Sequence, residues 1–101
     1  MILGILKVRG RSLAPAFEDG DFVFVSKIPI LLAGVHPGDV VVFHHHRLGK
    51  LIKIVERVED EGRRIFVVGL DPDSRDSRVF GSLPRRLLLG KVIGHIRKKP
   101  S

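Results

Sequence analysis

The sequence contains no cysteine, no tryptophan and no tyrosine, and it has one methionine in 101 residues. Without cysteine, a disulfide framework, a thiolate zinc site and a cysteine nucleophile are all excluded. A base-stacking surface for nucleic acid would have to be built from phenylalanine alone. No apolar run reaches the ~20 residues that a membrane-spanning helix needs. The 44% hydrophobic fraction argues against disorder, and the length predicts a single domain over residues 1–101.

Two shorter apolar stretches stand out, Met1–Leu6 and Ile28–Val35. The first lacks the leading positive charge and the cleavage site of a signal peptide, and Pro29 and Gly34 interrupt the second. We therefore expect a soluble, cytoplasmic protein without a transmembrane segment. Peripheral contact with a membrane surface through either stretch remains open.

Positive charge dominates, with 18 Lys and Arg residues against 11 Asp and Glu and a net charge of +7. This balance invites a nucleic-acid interpretation, but the charges are spread along the chain instead of forming one block. The largest group lies within residues 97–101, which we expect to be a solvated, mobile tail. The excess charge therefore argues only weakly for a nucleic-acid partner.

Short apolar runs rich in valine and isoleucine alternate with turn residues along the chain. Each run has the length of a strand, and β-branched residues favour a pleated sheet. Helical periodicity is scarce, and Leu83–Leu89 allows one helical turn at most. Glu61-Gly62, between two runs, indicates a β-hairpin loop. The pattern predicts an all-β barrel or sandwich, with strands at 22–25, 40–43, 51–58, 65–68 and 92–96.

Two isolated polar residues are candidates for catalysis. Ser12 lies between Gly10 and Pro15 on a turn, which can present its hydroxyl and leave backbone N–H groups free; an ordinary turn serine is the alternative. Lys53 shares a strand face with Leu51 and Val55, and burial of that face would lower the pKa of its ammonium. A neutral lysine is a competent general base. The alternative is a lysine whose ammonium reaches solvent.

Two polar clusters are further candidates. Residues 71–78 are dense in short polar side chains that bond to nearby backbone, and they hold charges that can pair locally, such as Asp76 with Arg78. They predict a loop with fixed internal structure, or else a solvated connection. In His44-His45-His46, strand neighbours point to opposite faces, so at most two can easily share a metal. We expect a surface loop there, and neither a metal site nor a cofactor in the chain.

In this order, the segments resemble the signal peptidase I family of Ser/Lys proteases over nearly the whole chain. Residues 8–15 resemble the family's nucleophile box, G-x-S-M-x-P-T, and Ile52-Lys53 falls where the family carries its base box. Gly38-Asp39-Val40-Val41 resembles the segment G-D-[IV]-[VI]. The most specific match is residues 74–81, which resemble S-x-D-S-R-x-[FWY]-G. The nucleophile box is shared with the LexA-like self-cleaving repressors.

The resemblance implies a compact β-barrel of short, mostly antiparallel strands and a serine endopeptidase that needs no cofactor. Ser12 would be the nucleophile and Lys53 the general base, with the backbone N–H of Ser12 as one oxyanion donor. Some signal peptidases carry a serine two residues before the nucleophile as a second donor. Gly10 occupies that position here, so this hydroxyl is missing.

The resemblance also implies supporting roles for the polar loop. Ser74 would hydrogen-bond the lysine and orient it, while Asp76 and Arg78 would pair and hold the loop in place. The chain departs from the family pattern at Leu13, Ala16, Ile54 and Leu70, but none of these changes removes a proposed catalytic group.

The shortness of the chain narrows the resemblance. A compact form without a membrane-spanning segment resembles the maturation proteases of nickel-type superoxide dismutase, which remove an N-terminal pro-segment. The expected substrate is therefore a protein or peptide with an N-terminal leader, such as a nickel superoxide dismutase precursor. A minimal signal peptidase-like domain with another role is equally compatible with these residues.

Two other functional classes remain as alternatives. A LexA-like self-processing domain would need an attached DNA-binding domain and an internal cleavage site, and no helix-turn-helix precedes Ser12. A non-catalytic basic β-barrel would bind nucleic acid, with affinity that weakens steeply as ionic strength rises.

Overall fold

Seven strands and two short helices make up residues 3–97, the part of the chain that the computed structural model describes. The predicted mobile tail, residues 97–101, lies outside the described residues apart from Arg97. Each of the five apolar runs expected to form a strand lies within one. The elements are β1 (Leu3–Lys7), β2 (Phe22–Ser26), α1 (Ile28–Ala33), β3 (Val40–His45), β4 (Gly49–Glu59), β5 (Arg64–Val68), α2 (Ser77–Phe80), β6 (Leu83–Pro84) and β7 (Leu88–Ile96).

The strands form one antiparallel sheet in the order β1-β2-β7-β3-β4-β5-β6. The predicted all-β class and the antiparallel pairing are confirmed. The sheet is open, not closed into a barrel, because within residues 3–97 β1 and β6 form its two edges. β6 is only two residues long, and both of them pair with β5.

The centre of the sheet is covered on both faces. Val41 and Val42 are neighbours on β3, and strand neighbours point to opposite faces, yet both are fully buried. Val41 packs with Phe43 and Val55 in one apolar cluster, whereas Val42 packs with Val8 in another. The second cluster lies under the end of β1, where the loop that carries Ser12 begins.

The apolar stretch Ile28–Val35 contains helix α1, which the sequence pattern did not predict. Pro29 lies in the first turn of the helix, where its missing N–H costs no hydrogen bond. Gly34 ends the helix with φ 76°, and its N–H donates to the carbonyl of Ile30. Ile30 is buried, but Leu32 is 83% exposed. No helix within residues 3–97 is long and apolar enough to span a membrane.

Two 3-10 turns occur in residues 3–97, and one of them is the expected hairpin loop. A 3-10 turn at Asp60–Gly62 joins β4 to β5 as a hairpin, at the position indicated by Glu61-Gly62. A second 3-10 turn at Arg85–Leu87 lies in the segment for which one helical turn was the upper limit.

Candidate active site

Ser12 lies in the loop between β1 and β2, whose base is closed by two backbone hydrogen bonds. The N–H of Val8 donates to the Asp21 carbonyl at 2.7 Å, and the N–H of Gly20 donates to the Val8 carbonyl at 2.8 Å. Leu13, next to Ser12, is buried and anchors the turn. The turn that carries Ser12 is therefore held by hydrogen bonds at the base of the loop and by the burial of the neighbouring Leu13.

Gly10 bends the chain two residues before Ser12. Its φ is +82°, a conformation in which residues with a Cβ are strained. Its N–H donates to Asp19 Oδ1 at 2.8 Å. Gly10 thus brings neither a hydroxyl nor an unused N–H to the site.

The two backbone polar groups of Ser12 have different surroundings. Its carbonyl accepts hydrogen bonds from the N–H groups of Leu70 at 2.5 Å and Asp71 at 3.2 Å, which tie the Ser12 turn to the loop after β5. Its N–H donates to no acceptor within residues 3–97. That N–H is therefore open to a ligand, as an oxyanion donor has to be.

Strand register brings Lys53 to the same place. Lys53 lies on β4 opposite Val41 of β3. On the other side, Ile54 pairs with Val68 of β5, so the antiparallel register sets Lys53 alongside Gly69. Lys53 is only 3% exposed, so its strand face points inward, and the alternative of a solvent-exposed ammonium does not apply.

The charge of Lys53 is poorly supported by its surroundings. No ion pair in the described part of the chain includes this ammonium. Burial lowers the pKa of the Lys53 ammonium below its ordinary value of 10.5. The negative charge of Asp76 raises this pKa and the positive charge of Arg78 lowers it, with burial as the largest effect. Lys53 is thus shifted towards the neutral amine that proton abstraction requires.

Gly69 is the point at which the Ser12 turn and the polar loop meet. A Cβ atom on Gly69 would lie 2.8 Å from the Ser12 carbonyl oxygen and 2.8 Å from Ser74 Cβ, and closer still to Ser74 Oγ. Its N–H donates to Asp76 Oδ2 at 2.7 Å. Only a residue without a side chain allows this close approach.

Asp76 holds the polar loop together from its buried centre. Its side chain is 0% exposed and accepts hydrogen bonds from Gly69 N–H, Ser74 Oγ and the Arg78 guanidinium and N–H, at 2.6–3.0 Å. Burial by itself would raise the pKa of this carboxyl. The bonds from Arg78, Ser74 and the two backbone N–H groups overcome that effect and hold the pKa well below 3.8. The fixed internal structure expected for this segment is present.

The hydroxyl of Ser74 is used differently from the role that the resemblance implied. It donates to Asp76 Oδ2 at 2.6 Å, and no hydrogen bond joins Ser74 to Lys53 within residues 3–97. An ionised carboxylate is a strong acceptor, which accounts for this choice. Ser74 here fixes the loop behind Lys53 and does not orient the lysine directly.

Ser12 and Lys53 line one cavity of about 270 Å³ between the end of β1 and the start of β4. Ser74, Asp76 and Arg78 do not line it. The cavity therefore combines a hydroxyl and a buried amine, and the Ser12 N–H lies beside them; acyl transfer requires these three groups. The remaining lining residues are Leu6, Lys7, Val8, Arg9, Leu13, Lys50, Leu51 and Ile52.

The three consecutive histidines lie at the end of β3 and in the turn that follows it. Nδ1 of His45 accepts hydrogen bonds from the N–H groups of Arg47 at 3.1 Å and Leu48 at 3.2 Å, and so closes the turn. No group of three His, Cys, Asp or Glu side chains that could hold a metal ion occurs within residues 3–97.

Two features of the site were not predicted from the sequence. The sequence pattern that predicts a strand at residues 65–68 does not single out Gly69, although a glycine beside a strand can mark a close approach of another backbone segment. Asp21 is 1% exposed, and its Oδ2 lies 2.7 Å from His95 Nε2, so it ties the base of the Ser12 loop to β7. The two residues are 74 positions apart in the chain, so no local sequence pattern links them.

Replacing Gly69 with alanine is expected to push the Ser12 turn away from the Ser74 loop. The added methyl group overpacks the contact, which should lower the free energy of unfolding by about 1–3 kcal/mol in urea titrations. Gly4→Ala is the matched control, because a Cβ there meets nothing within 4 Å. Equal stability of the two variants would contradict the close contact at Gly69.

A comparison with known protein families places the chain. The model of the family described as Peptidase S24-like matches residues 3–87. The matched stretch includes Ser12, Lys53 and the whole polar loop. No match to a curated protein was found.

Proposed function

The chain belongs to the Peptidase S24-like family, and on that premise we propose that it is a serine endopeptidase with a Ser12/Lys53 dyad. Family membership supports the coarser statement, a serine peptidase-like or LexA-like processing domain. The dyad is supported chiefly by one observation. Ser12 and Lys53 line the same cavity, where Lys53 is buried and the pKa of its ammonium is lowered.

Acylation follows from these groups. The neutral Lys53 amine takes the proton of Ser12 Oγ as that oxygen attacks the carbonyl carbon of the scissile peptide bond. The negative charge that develops on the carbonyl oxygen is stabilised by the free Ser12 N–H. The tetrahedral intermediate collapses, the C–N bond breaks, and the Lys53 ammonium returns its proton to the leaving amine. The products of this half are an acyl-Ser12 ester and a new amino terminus.

Deacylation reverses the roles with water. Lys53, neutral again, takes a proton from a water molecule that attacks the ester carbonyl. The ester C–O bond then breaks, and the proton returns to Ser12 Oγ. The same amine serves both halves, since it is neutral at the start of each.

The loop behind the lysine supports this assignment electrostatically. Asp76 raises and Arg78 lowers the pKa of Lys53, and the two are locked together at 2.6 Å. Their opposite effects partly cancel, so burial remains the dominant influence on Lys53. The loop thus stabilises the site without neutralising the effect of burial on the base.

We extend the proposal to removal of an N-terminal leader from a protein substrate. The resemblance of residues 8–15 and 74–81 to the boxes of signal peptidase I supports this substrate class. The further resemblance to maturation proteases of nickel-type superoxide dismutase makes the precursor of that enzyme the first substrate to test.

A second candidate function is LexA-like self-processing, which the family match over residues 3–87 favours. It differs from leader removal in a single measurable respect. A self-processing domain cuts its own polypeptide, whereas an endopeptidase acting on other proteins leaves its own mass unchanged. One mass spectrum of the incubated protein separates the two.

The test is cleavage of leader-bearing substrates, followed by mass spectrometry and compared with the Ser12→Ala variant. The panel includes a nickel superoxide dismutase precursor and peptides with small apolar residues before the target bond. Cleavage by the parent protein and none by Ser12→Ala supports the proposal. Cleavage by both, or no cut in any substrate or in the chain itself, overturns it.

The pH dependence provides a separate prediction. Cleavage requires the neutral amine, so the rate should rise with pH along a limb centred below 10.5. Because Arg78 lowers the pKa of Lys53, Arg78→Met should move this limb to higher pH. Arg63→Met is the control, since Arg63 is exposed and its one ion pair within residues 3–97 is with Glu61. A rising limb centred at or above pH 10.5 in the parent protein would exclude a lowered pKa for Lys53.

A further inference from the structure

The cavity lined by Ser12 and Lys53 has a positively charged rim. Three exposed cations, Lys7, Arg9 and Lys50, contribute to its lining. Lys7 ends β1, Arg9 lies two residues beyond it, and Lys50 is the second residue of β4, so the cations come from two separate segments of the chain. No Asp or Glu is among the lining residues in the described part of the chain.

Within residues 3–97 these rim cations form no ion pair with a carboxylate, a property that they share with other basic residues such as Arg86. Arg57, Arg63, Arg78 and Lys91 form ion pairs with acidic side chains. Within residues 3–97, no ion pair or side-chain hydrogen bond includes Lys7, Arg9 or Lys50. Their charge is therefore available to a ligand in the cavity.

The wall between the cations is apolar. Leu6, Val8 and Ile52 pack in or against one buried cluster, while Leu13 and Leu51 complete the apolar part of the lining. A volume of about 270 Å³ is at the small end for a ligand pocket and suits one or two side chains of a peptide. In an extended peptide, alternate side chains point in opposite directions, so residues beside a buried one stay near the rim.

Resting on the proposed function, we infer that the site selects substrates in which an apolar residue is flanked by Asp or Glu. The apolar side chain occupies the cavity, and the carboxylates pair with Lys7, Arg9 and Lys50. Exposed ion pairs contribute modestly, so each carboxylate should tighten binding by about two- to fivefold at low salt. The preference should fade as salt screens the charges.

The experiment measures binding separately from cleavage, using the Ser12→Ala protein. Fluorescent peptides share one apolar central residue and carry Glu, Gln or Lys on both sides of it. Their affinities are measured by anisotropy at low salt and at about 0.5 M salt. We expect the order Glu, Gln, Lys from tightest to weakest at low salt, with smaller differences at high salt.

Charge reversal then locates the effect. Lys50→Glu, made in the Ser12→Ala protein, leaves two cations and one carboxylate at the rim, so it should reduce the preference for the Glu peptide over the Lys peptide at low salt. Arg86→Glu is the matched control, since it changes the net charge equally but lies outside the cavity. Arg86→Glu should leave the size of this preference unchanged. Equal affinities for the Glu and Gln peptides, or the same response to both variants, overturn the inference.

The outcome is distinguishable from failure of the proposed function. Cleavage of all three peptides by the parent protein at equal kcat/KM leaves the endopeptidase intact and removes only the acidic preference. Selective binding of the Glu peptide, combined with no cleavage of any substrate by the parent protein, removes the endopeptidase. In that case the cationic rim would be a binding site for acidic peptides without catalysis.

Discussion

Lys53→Met is expected to abolish cleavage and at the same time to stabilise the fold. Loss of a general base should reduce kcat/KM by about 10²–10⁴-fold. Methionine is also unbranched and similar in length, so it fills the space that the lysine stem occupies. Since Lys53 is 3% exposed and no ion pair includes it within residues 3–97, replacing its charge should add about 1–2 kcal/mol to the free energy of unfolding.

The stability gain should depend on pH in a defined direction. Because burial lowers the pKa of Lys53, the folded state binds fewer protons than the unfolded state between the folded pKa and 10.5. The parent protein therefore gains stability as pH rises through that window. Methionine cannot titrate, so the advantage of Lys53→Met should be largest below the folded pKa and should shrink towards pH 10.5.

Two matched variants separate catalysis from stability. Ser12→Ala should also abolish cleavage, but it should change the free energy of unfolding by less than about 0.5 kcal/mol. Lys27→Met replaces an exposed lysine outside the cavity and should leave both properties unchanged. A Lys53→Met protein that is less stable than the parent would show that the ammonium has a structural partner. Retention of full activity would exclude Lys53 as the base.

The strands of this protein are readable from sequence because their signal is local. The runs in β3 and β5 combine β-branched residues with flanking turn residues, so the positions of these strands follow from that pattern, whereas their partners in the sheet do not. Helix α1 escaped because Pro29 and Gly34 look like interruptions. In fact they stand where helices tolerate them, in the first turn and at the C-terminal end.

The candidate site can be predicted from the sequence only in part, because its contacts depend on tertiary packing. The exposure of Lys53 depends on which face of β4 is covered, and the sequence leaves that choice open between two readings. The use of the Ser74 hydroxyl by Asp76 is a contact two residues apart whose direction no spacing rule predicts. The approach of the Ser12 carbonyl to Gly69 is wholly tertiary, since the two residues lie far apart in the chain.

Asp76→Ala should produce the largest loss of stability among single changes in the polar loop. It leaves the buried N–H of Gly69 without its acceptor, at about 1–3 kcal/mol, and removes the N-cap of α2, at about 1 kcal/mol. We therefore expect the free energy of unfolding to fall by about 2–4 kcal/mol in urea titrations. Asp73→Ala, a change at an exposed residue of the same loop, is the control and should cost less than about 0.5 kcal/mol.

The effect of Asp76 should also appear in acid. Its pKa is held well below 3.8 in the folded protein, so its contribution is present above 3.8 and is lost as pH falls towards the folded pKa. The difference in stability between the parent protein and Asp76→Ala should therefore narrow below pH 3.8. A difference that stays constant across this range would mean that the carboxylate charge does not stabilise the loop.

Asp76→Ala should also change the pH dependence and the maximal rate of cleavage. Asp76 raises the pKa of Lys53, so its removal should move the rising limb of the rate to lower pH, opposite to the shift expected for Arg78→Met. The maximal rate should fall as well, because Gly69 and the Ser12 carbonyl lose the support of the loop. If the rising limb of the pH–rate profile moved in the same direction in Asp76→Ala and in Arg78→Met, the loop would act on Lys53 through structure alone and not through its charges.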